Sequence, residues 1–474
     1  MKPADTSAPP YLSALPYAPP RSALPGIVWP AVPDDAASRM LALQFQLEHS
    51  QWWPPEVIEA RQFEQLRLVL EHSIRTVPFY GSRLAAAGFN PSIPIDREVW
   101  ARIPILTRRE VQLNASALRS SHPPPRHGAI SDVTTSGSTG RAITVPVTEL
   151  HGLFWQAITL REHLWHQRDL GGKLASIRSR GTGTAQYPDG LVAAGWGPST
   201  DLIYRTGPCA MLNHACSMAE KADWLMRQDP DYLLTSATNA LELARHFRRT
   251  GLRLATLREV RTYGEMLPGD LRDTCLDVWG VKVVDMYSSE EIGYMALQCP
   301  QNEHYHVQAE NVLLEIVDDH GHPCREDEIG RVIVSTLHNF AMPLIRYEIG
   351  DYAEAGGSCS CGRGLPVLKR ILGRVRNALR IADGGRRWPD FGLAKKYRDL
   401  PAVQLQVVQT ALDALELRVV PGEGFSATDE ARLLGYFRDW AGPQFRISLR
   451  VVEEIPRGPG GKFEEFMTQF GDET

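Results

Sequence analysis

Between Tyr232 and Tyr287 short apolar runs alternate with amphipathic stretches, and no other feature of the chain narrows its fold as far. Tyr232 to Thr235 reads as a buried strand, Ala237 to Arg249 as a helix stopped at Gly251, and Val260 to Tyr263 as a second strand. Leu267 to Trp279 then reads as a helix and Val281 to Tyr287 as a third strand. This succession predicts a parallel sheet with crossover helices, because parallel neighbours cannot be joined by a tight hairpin. Open sheets of this kind bind ligands beyond the carboxyl ends of their strands. Polar residues that follow a strand are therefore the first candidates for a site.

The flanks carry other patterns. Residues 1–50 begin with a proline-dense stretch and predict an N-terminal arm. From Glu56 to Ile74 apolar residues recur at three- and four-residue spacing, the mark of an amphipathic helix. Tyr80 to Ala87 and Gly152 to Trp165 read as further helices, and Val312 to Val317 and Gly330 to Leu337 as strands of a β-rich subdomain. Near the end, Gln404 to Gln409 and Ala414 to Val420 read as a hairpin, Thr428 to Trp440 as a helix and Arg446 to Glu453 as a last strand. The predicted fold class is α/β. A large domain over 51–373 would hold mixed parallel sheets and the β-rich subdomain, and a small α+β C-terminal domain would span 374–474.

Composition narrows the partners. The chain has 474 residues, 43% of them hydrophobic, enough for more than one core. A net charge of -5 gives no electrostatic reason to expect nucleic acid or an anionic membrane. No apolar run reaches the length of a bilayer span, and the N-terminus lacks the apolar core of a secretory signal. Seven cysteines fit a reducing compartment better than a disulfide framework, so a cytoplasmic location is expected. A homodimer stays open.

Thr134 to Arg141 reads TTSGSTGR, followed by the mostly apolar run Ala142 to Val147. Small residues let backbone N–H groups and hydroxyls close around an anion. The spacing is not that of a Walker A loop, and alone such a stretch is more often a plain turn. Its weight comes from the segments that follow in order. They are Tyr263-Gly264-Glu265, Tyr287-Ser288-Ser289-Glu290-Glu291, Pro343 to Asp351, Ile371 to Arg374, and Pro456 to Lys462. With HSIRTVPFYGSRL (72–84) and IPILTRREVQLN (103–114), these motifs resemble the adenylate-forming superfamily of acyl-CoA synthetases and adenylation domains. They are most similar to its phenylacetate–CoA ligase-like branch.

The resemblance implies ATP-dependent adenylation of a carboxylic acid, an aromatic one being an option, with pyrophosphate released. It implies that Thr135, Ser136, Gly137, Ser138, Thr139, Gly140 and Arg141 hold the β- and γ-phosphates. Gly264, Glu265, Ser288, Ser289 and Glu290 would line the nucleotide, Tyr287 would pack on adenine, and Asp351 would accept from both ribose hydroxyls. Glu291 would hold Mg2+, a hard cation suited to carboxylate oxygens. Arg374 would stand by the ribose or phosphate, and Lys462 would bring a point charge to the α-phosphate. The acid pocket would draw on Arg178 to Gly197 and Ser236 to Thr238, where Trp196 and Tyr187 either face the acid or pack. Two departures stand out. Glu290 replaces a usual threonine and adds a carboxylate beside the phosphates, and Arg376 takes a hinge place that is usually acidic.

The implied acyl acceptor is a thiol, coenzyme A first. Only Asp383-Gly384-Gly385 offers itself to pantetheine, so an amine, a carrier-protein thiol or a hydroxyl acceptor stays open, as does transfer of AMP to a phenol. A non-catalytic nucleotide-binding scaffold is the reading from another class, and the retained Lys462, Asp351 and Arg374 argue against it. Cys209, Cys216, Cys275 and Cys324 are scattered, whereas Cys299, Cys359 and Cys361 join His306 as soft donors that suit tetrahedral Zn2+. The resemblance implies a structural zinc here, since some phenylacetate–CoA ligase relatives carry one at the matching positions. His304 is the alternative imidazole.

Overall fold

The computed structural model describes residues 20–135, 142–382, 384–389, 400–456 and 463–470. The loop residues Ser136, Gly137, Ser138, Thr139, Gly140 and Arg141, as well as Asp383 and Lys462, lie outside the described residues.

Five parallel strands form one side of a 12-stranded sheet, in the spatial order Lys282–Ser289, Glu259–Tyr263, Tyr232–Ser236, Leu174–Arg178, Cys209–Asn213, with Leu191–Ala193 antiparallel at the edge. The apolar runs of the sequence become these strands because both their faces are covered by helices. Ala237–Thr250 ends at Gly251, whose φ of 71° is the left-handed conformation that glycine adopts without strain. Leu271–Trp279 begins four residues later than the sequence suggested. Pro268 accepts a hydrogen bond from Leu271 N at 3.1 Å, so residues 268–271 form a turn first.

Beyond Lys282–Ser289 the sheet continues with antiparallel strands: Gly293–Gln298, Tyr305–Val307, Val367–Arg374, Tyr347–Gly356, Ile329–Thr336 and Val312–Val317. This is the predicted β-rich region, joined edgewise to the parallel part. One apolar core lies between these strands and the N-terminal helices, a second between the parallel strands and their crossover helices. A separate sheet, Ala402–Ala411, Ala414–Pro421, Arg446–Val451 and Phe466–Thr468, packs on helix Ala427–Ala441 with its own core. The fold is α/β with a C-terminal α+β domain, as the sequence predicts.

The N-terminal region departs from a plain arm. Asp34 caps helix Asp35–Ser50 by accepting from Ala37 N at 2.8 Å. Met40 and Leu47 of this helix pack with Ala157 and Leu160 of helix Glu149–Trp165. No helix among the described residues is long and apolar enough to cross a membrane.

Two half-buried imidazoles make the fold acid-sensitive. His338 stacks on Phe154 at 3.9 Å, bonds the Glu310 carbonyl and has its pKa pushed down to about 4 by burial. Burial likewise lowers His166 to about 3. The unfolded chain takes up these protons near pH 6.5. Stability from keeping both rings neutral is therefore complete above pH 6.5 and falls with pH below it, by about 1.4 kcal/mol per unit for each ring. Urea unfolding at pH 7.5 and 5 should show that loss, and His338→Gln should flatten the slope by one proton. Equal stability at the two pH values would contradict it.

Candidate functional site

Thr135 precedes the Gly-rich loop, and Ile143 follows it. Thr135 N donates to Ile143 O and Ile143 N to Thr135 Oγ1, both at 3.0 Å, extending the antiparallel hairpin of Ile130–Thr134 and Thr144–Thr148. Thr135 and Ile143 thus close the end of a two-stranded hairpin that stands outside the large sheet.

Sheet register assembles the next part. Asp351 on Tyr347–Gly356 lies directly opposite Arg374 on Val367–Arg374, and their side chains approach to 3.7 Å. Tyr287 Oη donates to Asp351 Oδ2 at 2.8 Å from the strand that carries the Ser288-Ser289-Glu290-Glu291 turn. Burial and the neighbouring Asp351 raise the Tyr287 phenol well above its usual pKa, so it stays a donor. The ladder is irregular between Tyr287 and Ser288, a break of the kind that re-aims side chains beside sites. Residues distant in sequence are thereby brought to one sheet surface.

The two glutamates part company. Glu291 is 5% exposed, with burial raising its pKa against the opposing charge of Arg108, whose guanidinium lies 3.9 Å away. Glu290 sits exposed on the turn between the strands. Exposure thus separates the carboxylate that replaces the usual threonine from the buried one, which is the candidate for a hard cation.

Gly264 has φ 72° and lets the chain turn directly after Glu259–Tyr263. Glu265 then accepts from Thr238 N at 2.9 Å and Thr238 Oγ1 at 2.7 Å, at the start of Ala237–Thr250. Its other oxygen accepts from Phe463 N at 3.4 Å, the residue after Lys462. Glu265 thus ties the large sheet to the segment bearing the lysine. Within the C-terminal domain, Arg376 pairs with Glu464 at 2.6 Å, and Asn377 Nδ2 donates to Phe466 O at 3.0 Å.

Of the aromatics considered for an acid pocket, Trp196 is engaged in packing. It meets Tyr232 edge-on at 5.3 Å and donates Nε1 to Gly172 O at 2.9 Å. Tyr187 bonds Asp223 at the surface. Arg178 lies over the Tyr263 ring at 4.3 Å.

The cysteine–histidine group converges. One donor atom from each of Cys299, His306, Cys359 and Cys361 lies within 4.8 Å of all the others. Cys299 and Cys359 sulfurs are 3.8 Å apart, and Cys361 Sγ is 3.2 Å from His306 Nε2. Ligands about 2.3 Å from a tetrahedral centre stand about 3.8 Å from one another, so the donor set fits zinc in kind and spacing. His304 Nε2 also reaches Cys359 Sγ at 2.9 Å, so both imidazoles flank the thiols.

The fold is shared with a CoA ligase of known structure. 2-Hydroxyisobutyryl-CoA ligase in its postadenylation state superposes with a TM-score of 0.70 at 19% identity, over 89% of this chain and 92% of that one. A phenylacetate–coenzyme A ligase from Thermus thermophilus is 25% identical over 450 residues, covering 87% of this chain and 97% of the relative. The phenylacetate–coenzyme A ligase of Escherichia coli is 24% identical over 379 residues, covering 76% and 82%. No protein-family profile matches the chain. In sequence the chain is thus similar to phenylacetate–coenzyme A ligases along most of its length, at 24 to 25% identity.

Proposed function

We propose that this protein adenylates a carboxylic acid with ATP, releases pyrophosphate and passes the acyl group to the thiol of coenzyme A. The carboxylate oxygen attacks the α-phosphorus, the bond to the bridging oxygen of pyrophosphate breaks, and an acyl-adenylate results. The thiol sulfur then attacks the acyl carbon and AMP leaves. The observation that carries this reading is the Tyr287–Asp351–Arg374 cluster, set beside the buried Glu291 and the hairpin that presents the Gly-rich loop. Displacement at phosphorus needs positioning and charge neutralisation more than covalent help from the protein.

In this reading Asp351 holds the ribose, Tyr287 and Gly264-Glu265 border the base, and Thr135 with Ser136 to Arg141 wraps the β- and γ-phosphates. Glu291 would hold Mg2+, which would supply positive charge to the phosphate oxygens. Arg374, paired with Asp351, would stand by the ribose, and Lys462 would bring its charge to the α-phosphate. The relatives' names make phenylacetate and other aromatic acids the first candidates. Pyrophosphate release against a panel of acids, with and without coenzyme A, tests both halves. No release with any acid would overturn the adenylation; release with no thioester formed would overturn only the acceptor.

We further assign Cys299, His306, Cys359 and Cys361 a structural zinc. Arg363, two residues past Cys361, lies over the rings of Trp52 and Trp165 at 4.8 and 4.4 Å and bonds Gln51 at 2.9 Å. The cysteine loop therefore braces the junction of the first two long helices. Metal analysis of reduced protein should give one zinc per chain, and chelation should alter tryptophan emission as Arg363 leaves the two rings. Substoichiometric zinc, or chelation without an optical change, would speak against this role.

A further inference from the structure

The motif ILTRRE, which contributes none of the site residues assigned so far, places a guanidinium between two of them. Thr107 and Glu110 form a reciprocal capping box at the start of helix Arg108–Leu113, with Glu110 N donating to Thr107 Oγ1 and Thr107 N to Glu110 Oε2. Glu110 is held in turn by Arg83 at 3.0 Å. One residue earlier, Leu106 is stitched to Tyr347–Gly356: its N donates to Arg346 O at 2.8 Å, and Glu348 N donates to Leu106 O at 2.9 Å. The backbone that carries Arg108 is thus fixed from both sides.

The side chain, 17% exposed, reaches three elements at once. Nη2 donates to Thr135 Oγ1 at 3.1 Å, at the mouth of the Gly-rich loop. Nη1 lies 3.4 Å from Tyr347 Oη and 3.9 Å from Glu291 Oε1. The contact with Glu291 is a charge contact at a length beyond a hydrogen bond, unlike the close bidentate pairs of structural arginines. Arginine presents five donors in a planar fork, a geometry matched to phosphate oxygens. Arg374 is held against Asp351, whereas Arg108 bonds Thr135, so in the reading above Arg374 goes with the ribose and Arg108 with the loop.

We propose that Arg108 is a binding residue for the β- and γ-phosphates of the nucleotide and for the pyrophosphate that leaves. This rests on the nucleotide-site reading above and adds to it a cation delivered by the N-terminal helical region. The group recognised is a pyrophosphoryl unit, so ATP and free pyrophosphate should feel the residue and AMP should not. A purely structural role would disturb all three alike.

Calorimetric titrations of the full-length protein, with Mg2+ present, would compare MgATP, pyrophosphate and AMP on the parent, Arg108→Gln and Arg108→Lys. Arg108→Gln is expected to weaken MgATP and pyrophosphate about tenfold or more, the scale of a lost hydrogen bond to a charged group. AMP should change less than about twofold, and Arg108→Lys should recover part of the loss, since it keeps the charge without the fork. Equal weakening of ATP and AMP, or no weakening of ATP, would overturn the assignment. If the parent binds both nucleotides but releases no pyrophosphate with any acid, the proposed reaction fails and Arg108 is still decided by the variants. If the parent binds neither nucleotide, both ideas fall.

Discussion

Lys462→Ala is expected to lower acid-dependent exchange of pyrophosphate into ATP by about a hundred- to a thousandfold, the usual cost of removing one preorganised charge from a transition state. MgATP binding should change far less, because the lysine's point charge matters most when negative charge builds on the α-phosphate. The structure anchors the chain immediately beyond the lysine from two directions. Phe463 N reaches Glu265 in the large domain, while Glu464 and Phe466 are held by Arg376 and Asn377. Strand Phe466–Thr468 then runs parallel to Ala402–Ala411. Exchange at the parental rate would refute the role of Lys462 and, with it, the present assignment of the charge that stabilises the reaction. Equal loss of MgATP binding and rate would make the lysine a general binding group.

Glu162→Ala should cost about 3 to 5 kcal/mol of unfolding free energy, the price of stranding buried charge. Glu162 is fully buried on helix Glu149–Trp165 and accepts from Arg168 at 2.6 Å and from Arg261. Arg168 also donates to Glu259 at 2.5 Å. Two guanidiniums are thus balanced by two carboxylates between the helix and the parallel strands. Removing Glu162 leaves Arg261 without that partner in a place water does not reach. The two arginines hold the Glu162 carboxyl well below its usual pKa even though burial opposes them. Its stabilising contribution is therefore complete above the unfolded pKa near 4.3 and is lost only as pH falls through the much lower folded value. Denaturant unfolding at pH 7 measures the cost, and a loss under about 1 kcal/mol would show that the arginines find other partners.

The parallel part of the sheet was legible because each strand is a short apolar run closed by a turn, and Gly251 marks a helix end by conformation. The helix Asp35–Ser50 was not. Prolines surround it, and its buried face includes Gln44, whose amide donates to the Ala157 carbonyl in place of an apolar contact. Strand Phe466–Thr468 is three residues long and gains its identity from pairing with Ala402–Ala411, which no local pattern announces. In the candidate site, Asp351 and Arg374 were named from separate motifs, yet only the antiparallel register shows that they face each other. Glu290 and Glu291 are adjacent and chemically alike, so burial alone tells them apart. Nothing in the residue types of ILTRRE sets Arg108 apart from its charged neighbours Arg109 and Glu110. The T-x-x-E capping box was the available signal, since it fixes where that helix begins and hence where its first side chain points.

The passage between the domains is a single short turn, Val375–Asn377, immediately after Arg374. Arg376 and Asn377 are already fastened to the returning segment 464–466, so they travel with the C-terminal domain as freight. Any swivel between the domains must be absorbed upstream, at Gly373 to Val375, where Gly373 holds a φ of 70°. Arg374 sits inside that swivel. Its hold on Asp351 and the angle of the whole domain are therefore written in the same few backbone torsions, and neither can change without the other.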